Sequence, residues 1–187
     1  MREKLVWFGF MGALVYWSFV AWSISRNPWF SFWKNALSDL GGPGANSPWI
    51  YNAGLVVSSL FLLAFSVGLI LTSEGRLQTV GGAYLSISSV FLALIGIFHE
   101  GTEPHVFVST YFFVQFFLGA LLYGLGSERL RPVSVLIFSL ALVGPLVPFP
   151  STSLLETYEI LLVMAFSLAV ALNSKGFTGR GASGGGG

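Results

Sequence analysis

A chain of 187 residues with 54% hydrophobic side chains, only 9% charged ones, a mean hydropathy of +0.77 and a net charge of +1 cannot clothe a water-soluble fold, because soluble domains carry about 25% charged residues. The balanced charge leaves no basic patch to hold phosphates, which excludes a nucleic-acid partner. The absence of cysteine excludes disulfides, thiol nucleophiles and Cys-ligated metals. The length suits one membrane bundle, read as a single domain over residues 1–180, with no sizeable soluble domain beside it.

A membrane-spanning helix needs about 20 mainly apolar residues. Six segments approach that length: 5–24, 50–71, 80–98, 106–125, 133–150 and 154–172. The first is long for a signal-peptide core, lacks an Ala-x-Ala cleavage site and leads straight into further spans, so it reads as a span. Lys and Arg set the orientation. Arg2, Lys4, Arg76, Arg129, Arg131, Lys175 and Arg180 fall on one side, and only Arg26 and Lys34 on the other. The expected fold is therefore an all-α bundle of six transmembrane helices in the cell membrane, with both termini cytoplasmic. Residues 181–187, Gly-Ala-Ser-Gly-Gly-Gly-Gly, read as an appended linker.

The inner connections 72–79 and 126–132 are short polar turns, whereas the first outer loop runs from Ser25 to Trp49 and holds Trp29, Phe30, Phe32, Trp33 and Trp49. Such aromatics suit the headgroup layer. The stretch from Pro28 to Leu40 is expected to form a short interfacial helix, with Asn27 as its cap and Gly41-Gly42 as its stop.

Polar residues gather in three places, all on the outer side. The first is Asn35-Ala36-Leu37-Ser38-Asp39-Leu40-Gly41-Gly42. Ser38 and Asp39 are a candidate nucleophile and orienting acid if a histidine converges on them; Ser-Asp-x-Gly is equally an ordinary turn or capping element. Asn52, just inside the second span, needs an interhelical partner, and Asp39 is one candidate. Trp49 stands beside it as a candidate ligand contact.

The second place is His99-Glu100-Gly101-Thr102-Glu103-Pro104-His105, which holds both histidines of the chain. His99, Glu103 and His105 are ligand types that suit a divalent metal such as zinc or iron. The His-Glu-x-x-Glu start matches the His-Glu-x-x-His motif only halfway, and Gly101 and Pro104 disrupt the helix that motif requires. Two other readings stand beside the metal: a solvated loop, or a metal-free polar site with His105 and Glu100 in acid–base roles. The third place is Glu156 and Glu159. The apolar stretch after them, 160–172, is too short to span alone, so both acids lie at the outer edge of the hydrocarbon or in it. There they need a cavity, a partner or hydration at headgroup level, and Glu159 is the deeper of the two. Pro145 and Pro148 break the fifth span near its outer end. Small residues such as Gly9, Gly12, Gly81, Gly82 and Gly119 read as close helix packing.

The strings Asn35-Ala36-Leu37-Ser38-Asp39-Leu40-Gly41 and Pro48-Trp49-Ile50-Tyr51-Asn52-Ala53-Gly54-Leu55 resemble the bacterial and archaeal family known as domain of unknown function 998. Gly96-Ile97-Phe98-x-Glu100, followed by His105, is similar to that family's third outer segment. The resemblance covers all six spans and implies a six-span membrane protein of unknown activity. Leu37-Ser38-Asp39-x-Gly41 also resembles the Ile-Ser-Asp-x-Gly pattern of the Frag/DRAM/Sfk family, some members of which are tied to lipid processing. The zinc-dependent membrane hydrolases related to alkaline ceramidase use several histidines, and two leave that pattern incomplete.

These readings point to a membrane protein that binds or modifies a lipid or other small amphiphile at an outward-facing polar pocket. Ser38, Asp39, Glu100 and His105 are its candidate catalytic residues, and Trp49, Asn52, His99, Glu103 and Glu159 its candidate binding residues. Membrane lipids are the expected partners. The alternatives are a small transporter or channel and a non-catalytic membrane scaffold. Against transport stand the lack of a mid-membrane charge and of an evident inverted repeat. Substrate, reaction and oligomeric state are not legible.

Overall fold

In lipid a backbone must satisfy its own hydrogen bonds, so long apolar runs fold as helices. The computed structural model describes residues 2–178, and among these residues it contains helices and turns and no strand. The linker assignment at 181–187 lies outside the described residues. A short helical turn, Arg2–Leu5, precedes α1 (Phe8–Arg26). There follow α2 (Trp49–Leu71), α3 (Arg76–Ile97), α4 (His105–Leu125), α5 (Arg131–Val143) and α6 (Thr152–Thr178). Five of the six are long and apolar enough to cross a membrane. The protein is a membrane-embedded six-helix bundle.

Successive helices pack side by side from α1 to α5, and α6 closes the bundle mainly against α1 and α5. A close backbone-to-backbone approach joins α3 and α4. A Cβ added at Gly81 would lie 2.4 Å from the Tyr123 backbone N and 2.7 Å from the Gly119 carbonyl oxygen. Backbone meets backbone there, and only glycine allows it. Deeper in the bundle, Phe65 of α2, Phe116 of α4 and Phe166 of α6 are fully buried. Phe166 meets the other two edge to face, at centroid separations of 6.4 and 6.0 Å, an arrangement aromatic quadrupoles favour.

Two expectations change in the outer half. The fifth helix is shorter than the span expected over 133–150. Its α-helical part is 13 residues long, followed by a 3-residue 3-10 turn, Gly144–Leu146, and non-helical chain. At 1.5 Å per residue the α part rises about 20 Å, short of a ~30 Å hydrocarbon core. Pro145 sits in the tightened turn and Pro148 follows it, and neither offers an N–H to continue the ladder.

Nor is there an interfacial helix over residues 28–40. The segment is a run of turns ending in a 3-10 helix, Leu37–Gly41. The side chains of this segment compete with helical pairing: the Ser31 N–H donates to Asn35 Oδ1 at 2.9 Å, and the Ala36 N–H to Asp39 Oδ2 at 2.9 Å. Asn27 closes α1 instead of opening a new helix. Fully buried, it donates through Nδ2 to the Ser23 and Asn46 carbonyls, while its Oδ1 accepts from the Asn46 N–H and Trp29 Nε1.

Candidate functional site

The connections between α1 and α2, α3 and α4, and α5 and α6 meet at one end of the bundle. Loop one lies against the start of α6, where the Ser153 N–H donates to the Asn35 carbonyl at 3.0 Å and the Ser151 hydroxyl donates to the Phe32 carbonyl. The Leu37 N–H donates to Glu156 Oε2 at 2.6 Å. Loop one also reaches the α3–α4 turn, where Ser38 Oγ donates to Glu100 Oε2 at 3.3 Å. Gly101, with φ +90°, lets that turn reverse tightly against Pro43.

His105, the first residue of α4, is held at both ring nitrogens. Its Nδ1 lies 2.9 Å from the Phe98 carbonyl and its Nε2 lies 3.0 Å from Glu100 Oε2. A carbonyl only accepts, so Nδ1 carries hydrogen, and Nε2 faces the carboxylate. Glu100 Oε2 thus joins Ser38 on one side to His105 on the other. The order is His–Glu–Ser, not Ser–His–acid. The Ser38 hydroxyl points at the carboxylate and the histidine does not touch it, so the nucleophile triad with Asp39 is not formed.

Asp39 and Asn52 shape loop one rather than meeting each other. Asp39 holds the Ala36 N–H, and Asn52 Nδ2 donates to the Gly41 carbonyl at 3.0 Å. Asn52 Oδ1 is buried and unpartnered. Asp39 and Glu100 share the wall of a shallow outer hollow with Trp29 and Pro43. Four other predicted residues stand apart. His99 Nδ1 contacts the neighbouring Glu100 carbonyl at 2.8 Å. Glu103 is exposed in the turn. Trp49, 57% exposed, packs edge to face on Trp22. Glu159 is buried at 9% exposure, on the face of α6 that carries Leu162 and Phe166. Among the described residues no three His, Asp or Glu side chains are grouped to hold a metal ion; His99 and His105 bond to different partners, and Glu103 is exposed.

Beneath the His–Glu–Ser cluster a narrow cavity runs inward between α1, α2, α3, α4 and α6. Its outer part presents Ser38, Tyr51, His105 and Glu156, and Tyr16 and Ser58 line it further along. The walls below are apolar, with Leu62, Leu92, Phe113, Ile160 and Val163 contributed by four helices. From Tyr51 to Leu62 is 11 residues of helix, a depth of about 16 Å. Tyr16 and Tyr51 join hydroxyl to hydroxyl at 3.1 Å and are both buried.

Tyr16, Tyr51, Ser58 and Glu156 belong to this arrangement but are missing from the set chosen by sequence. A tyrosine inside an apolar run was the available signal, since a buried phenol needs a partner. Glu156 was recognisable as a costly charge, yet only its contact with loop one ties it to Ser38.

A six-helix bundle with a polar-capped internal cavity defines a class of small polytopic membrane proteins. Within that class, the chain belongs to the family described as protein of unknown function DUF998, whose model matches residues 10–173. No curated protein and no solved structure matches it. The likeness to the Frag/DRAM/Sfk family finds no support.

Proposed function

We propose that this protein binds a lipid or related amphiphile in the cavity, head group outermost, from the extracytoplasmic side of the membrane. One observation carries the reading: a hydrogen-bonding rim of Ser38, Tyr51, His105 and Glu156 opens onto an apolar shaft roughly 16 Å deep. Binding sites are concave and mostly apolar, with a few convergent polar groups that fix orientation. An amphiphile matches both parts at once, whereas a polar metabolite would leave the shaft unfilled. The excess of Lys and Arg on the opposite side supports an extracytoplasmic rim.

A bound head group would meet Ser38 and His105, both hydrogen-bonded to Glu100 behind them, at the loop-one end of the shaft.

The test is copurification. Native mass spectrometry of the protein extracted from membranes should detect a retained lipid. Ser109→Phe and Ala13→Phe, each placing a ring in the cavity, should release it while the protein stays monodisperse. Absence of any lipid from the unmodified protein, or equal retention by both filled variants, would overturn the reading.

A further inference from the structure

Among the described residues no Lys or Arg lines the cavity: its polar residues are tyrosines, serines, His105 and Glu156. A phosphate or carboxylate head would therefore be buried there without a Lys or Arg to pair with, and an unpaired buried charge is costly.

The unfilled hydrogen-bonding capacity is specific. Tyr16 and Tyr51 have two hydroxyl hydrogens, and their mutual contact uses one. The other remains to be donated. Ser58 Oγ, on a residue only 4% exposed, has no hydrogen-bond partner among the described residues and lines the same cavity. Buried polar groups are normally paired, so this hydroxyl is a second, independent sign of an occupant. Glu156 supplies acceptor capacity at the rim, with one oxygen already held by the Leu37 N–H.

A complementary head must give a hydrogen to Glu156 and take hydrogens from a phenol and from Ser58. An ammonium head gives but does not accept. A simple long-chain alcohol has one oxygen, while Ser58 lies seven residues inward of Tyr51, about 10 Å. The ligand's polar part must therefore extend past its terminal hydroxyl. An ester-linked chain has that form.

We infer that the cavity selects an uncharged acylglycerol, with its free hydroxyl toward Glu156, its ester oxygens toward the tyrosine pair and Ser58, and its acyl chain in the shaft. This rests on the amphiphile reading above and narrows it to one head-group class.

The experiment offers delipidated, full-length protein four amphiphiles of matched chain: oleoylglycerol, dioleoylglycerol, dioleoyl phosphatidylglycerol and oleylamine. Native mass spectrometry reads the bound fraction of each. The two acylglycerols should bind about tenfold more tightly than the phospholipid or the amine. Ser58→Ala should weaken acylglycerol binding several-fold without lowering the ligand-free melting temperature, because its hydroxyl has no protein partner to lose. The double variant Tyr16→Phe with Tyr51→Phe, which removes both phenol hydroxyls, should weaken acylglycerol binding as well. Preference for the phospholipid or the amine overturns the acylglycerol assignment and leaves amphiphile binding standing, as does unchanged acylglycerol affinity in both variants. If none of the four binds, both readings fall.

Discussion

Glu156 shows how one residue can couple two parts of the bundle. It rises from the first turns of α6, and its carboxylate accepts the N–H of Leu37, a residue with no exposure at all. That N–H opens a 3-10 helix and has no partner within it. Removing the acceptor would leave a buried donor unpaired, at a cost of about 1–3 kcal/mol. Glu156→Ala should therefore lower stability by that amount in denaturant titration of the detergent-solubilised protein. Glu156→Gln keeps an acceptor oxygen and should lose clearly less. Equal losses would show that the contact with Leu37 contributes little. His105 illustrates the complementary case: bonding at both ring nitrogens fixes the ring, so its Nε2 is presented to Glu100 and not to Ser38.

At the scale of elements, loop one is the part that builds the site, and Asn27 organises it. Four hydrogen bonds converge on this single side chain from the end of α1, from Trp29 and from Asn46. At about 1 kcal/mol net for each bond, with non-additive losses, Asn27→Ala should destabilise the protein by roughly 2–4 kcal/mol. Hydrogen exchange should rise across residues 28–46 before it rises in α2–α4; uniform change through the bundle would contradict this role. Sequence reading recognised Asn27 as a capping residue but assigned it to the wrong element. The Asn35 and Asp39 side chains had the same ambiguity, since a short polar side chain suits a helix cap and a non-helical turn equally. Local pattern does not choose between them; the packing of loop one against α6 does. The shortened α5 was partly legible, because Pro145 and Pro148 announce a break, while the residue at which the α-helix ends depends on its neighbours.

For the whole molecule, the charge distribution makes a topological prediction that the lack of native cysteine renders simple to check. Glu103 and Glu128 are exposed at opposite ends of α4. With Glu103→Cys, a membrane-impermeant maleimide should label intact cells; with Glu128→Cys it should label only after lysis. The reverse pattern would invert the bundle and put the cavity rim on the cytoplasmic side. Composition and run length alone were enough to determine the class of protein, the number of helices and their rough bounds, because the cost of exposed backbone in lipid leaves few alternatives. The charged and polar clusters read from the sequence lie at one end of the bundle. What only the tertiary structure decided is which of those polar residues share a site. Ser38, the Glu100–His105 turn and Glu156 are far apart in the chain and come together through loop packing, while His99, Glu103 and Glu159, neighbours in sequence of members of the cluster, do not join it. The cause is geometric: along a helix or turn, direction changes by about 100° per residue, so proximity in sequence does not fix where a side chain points.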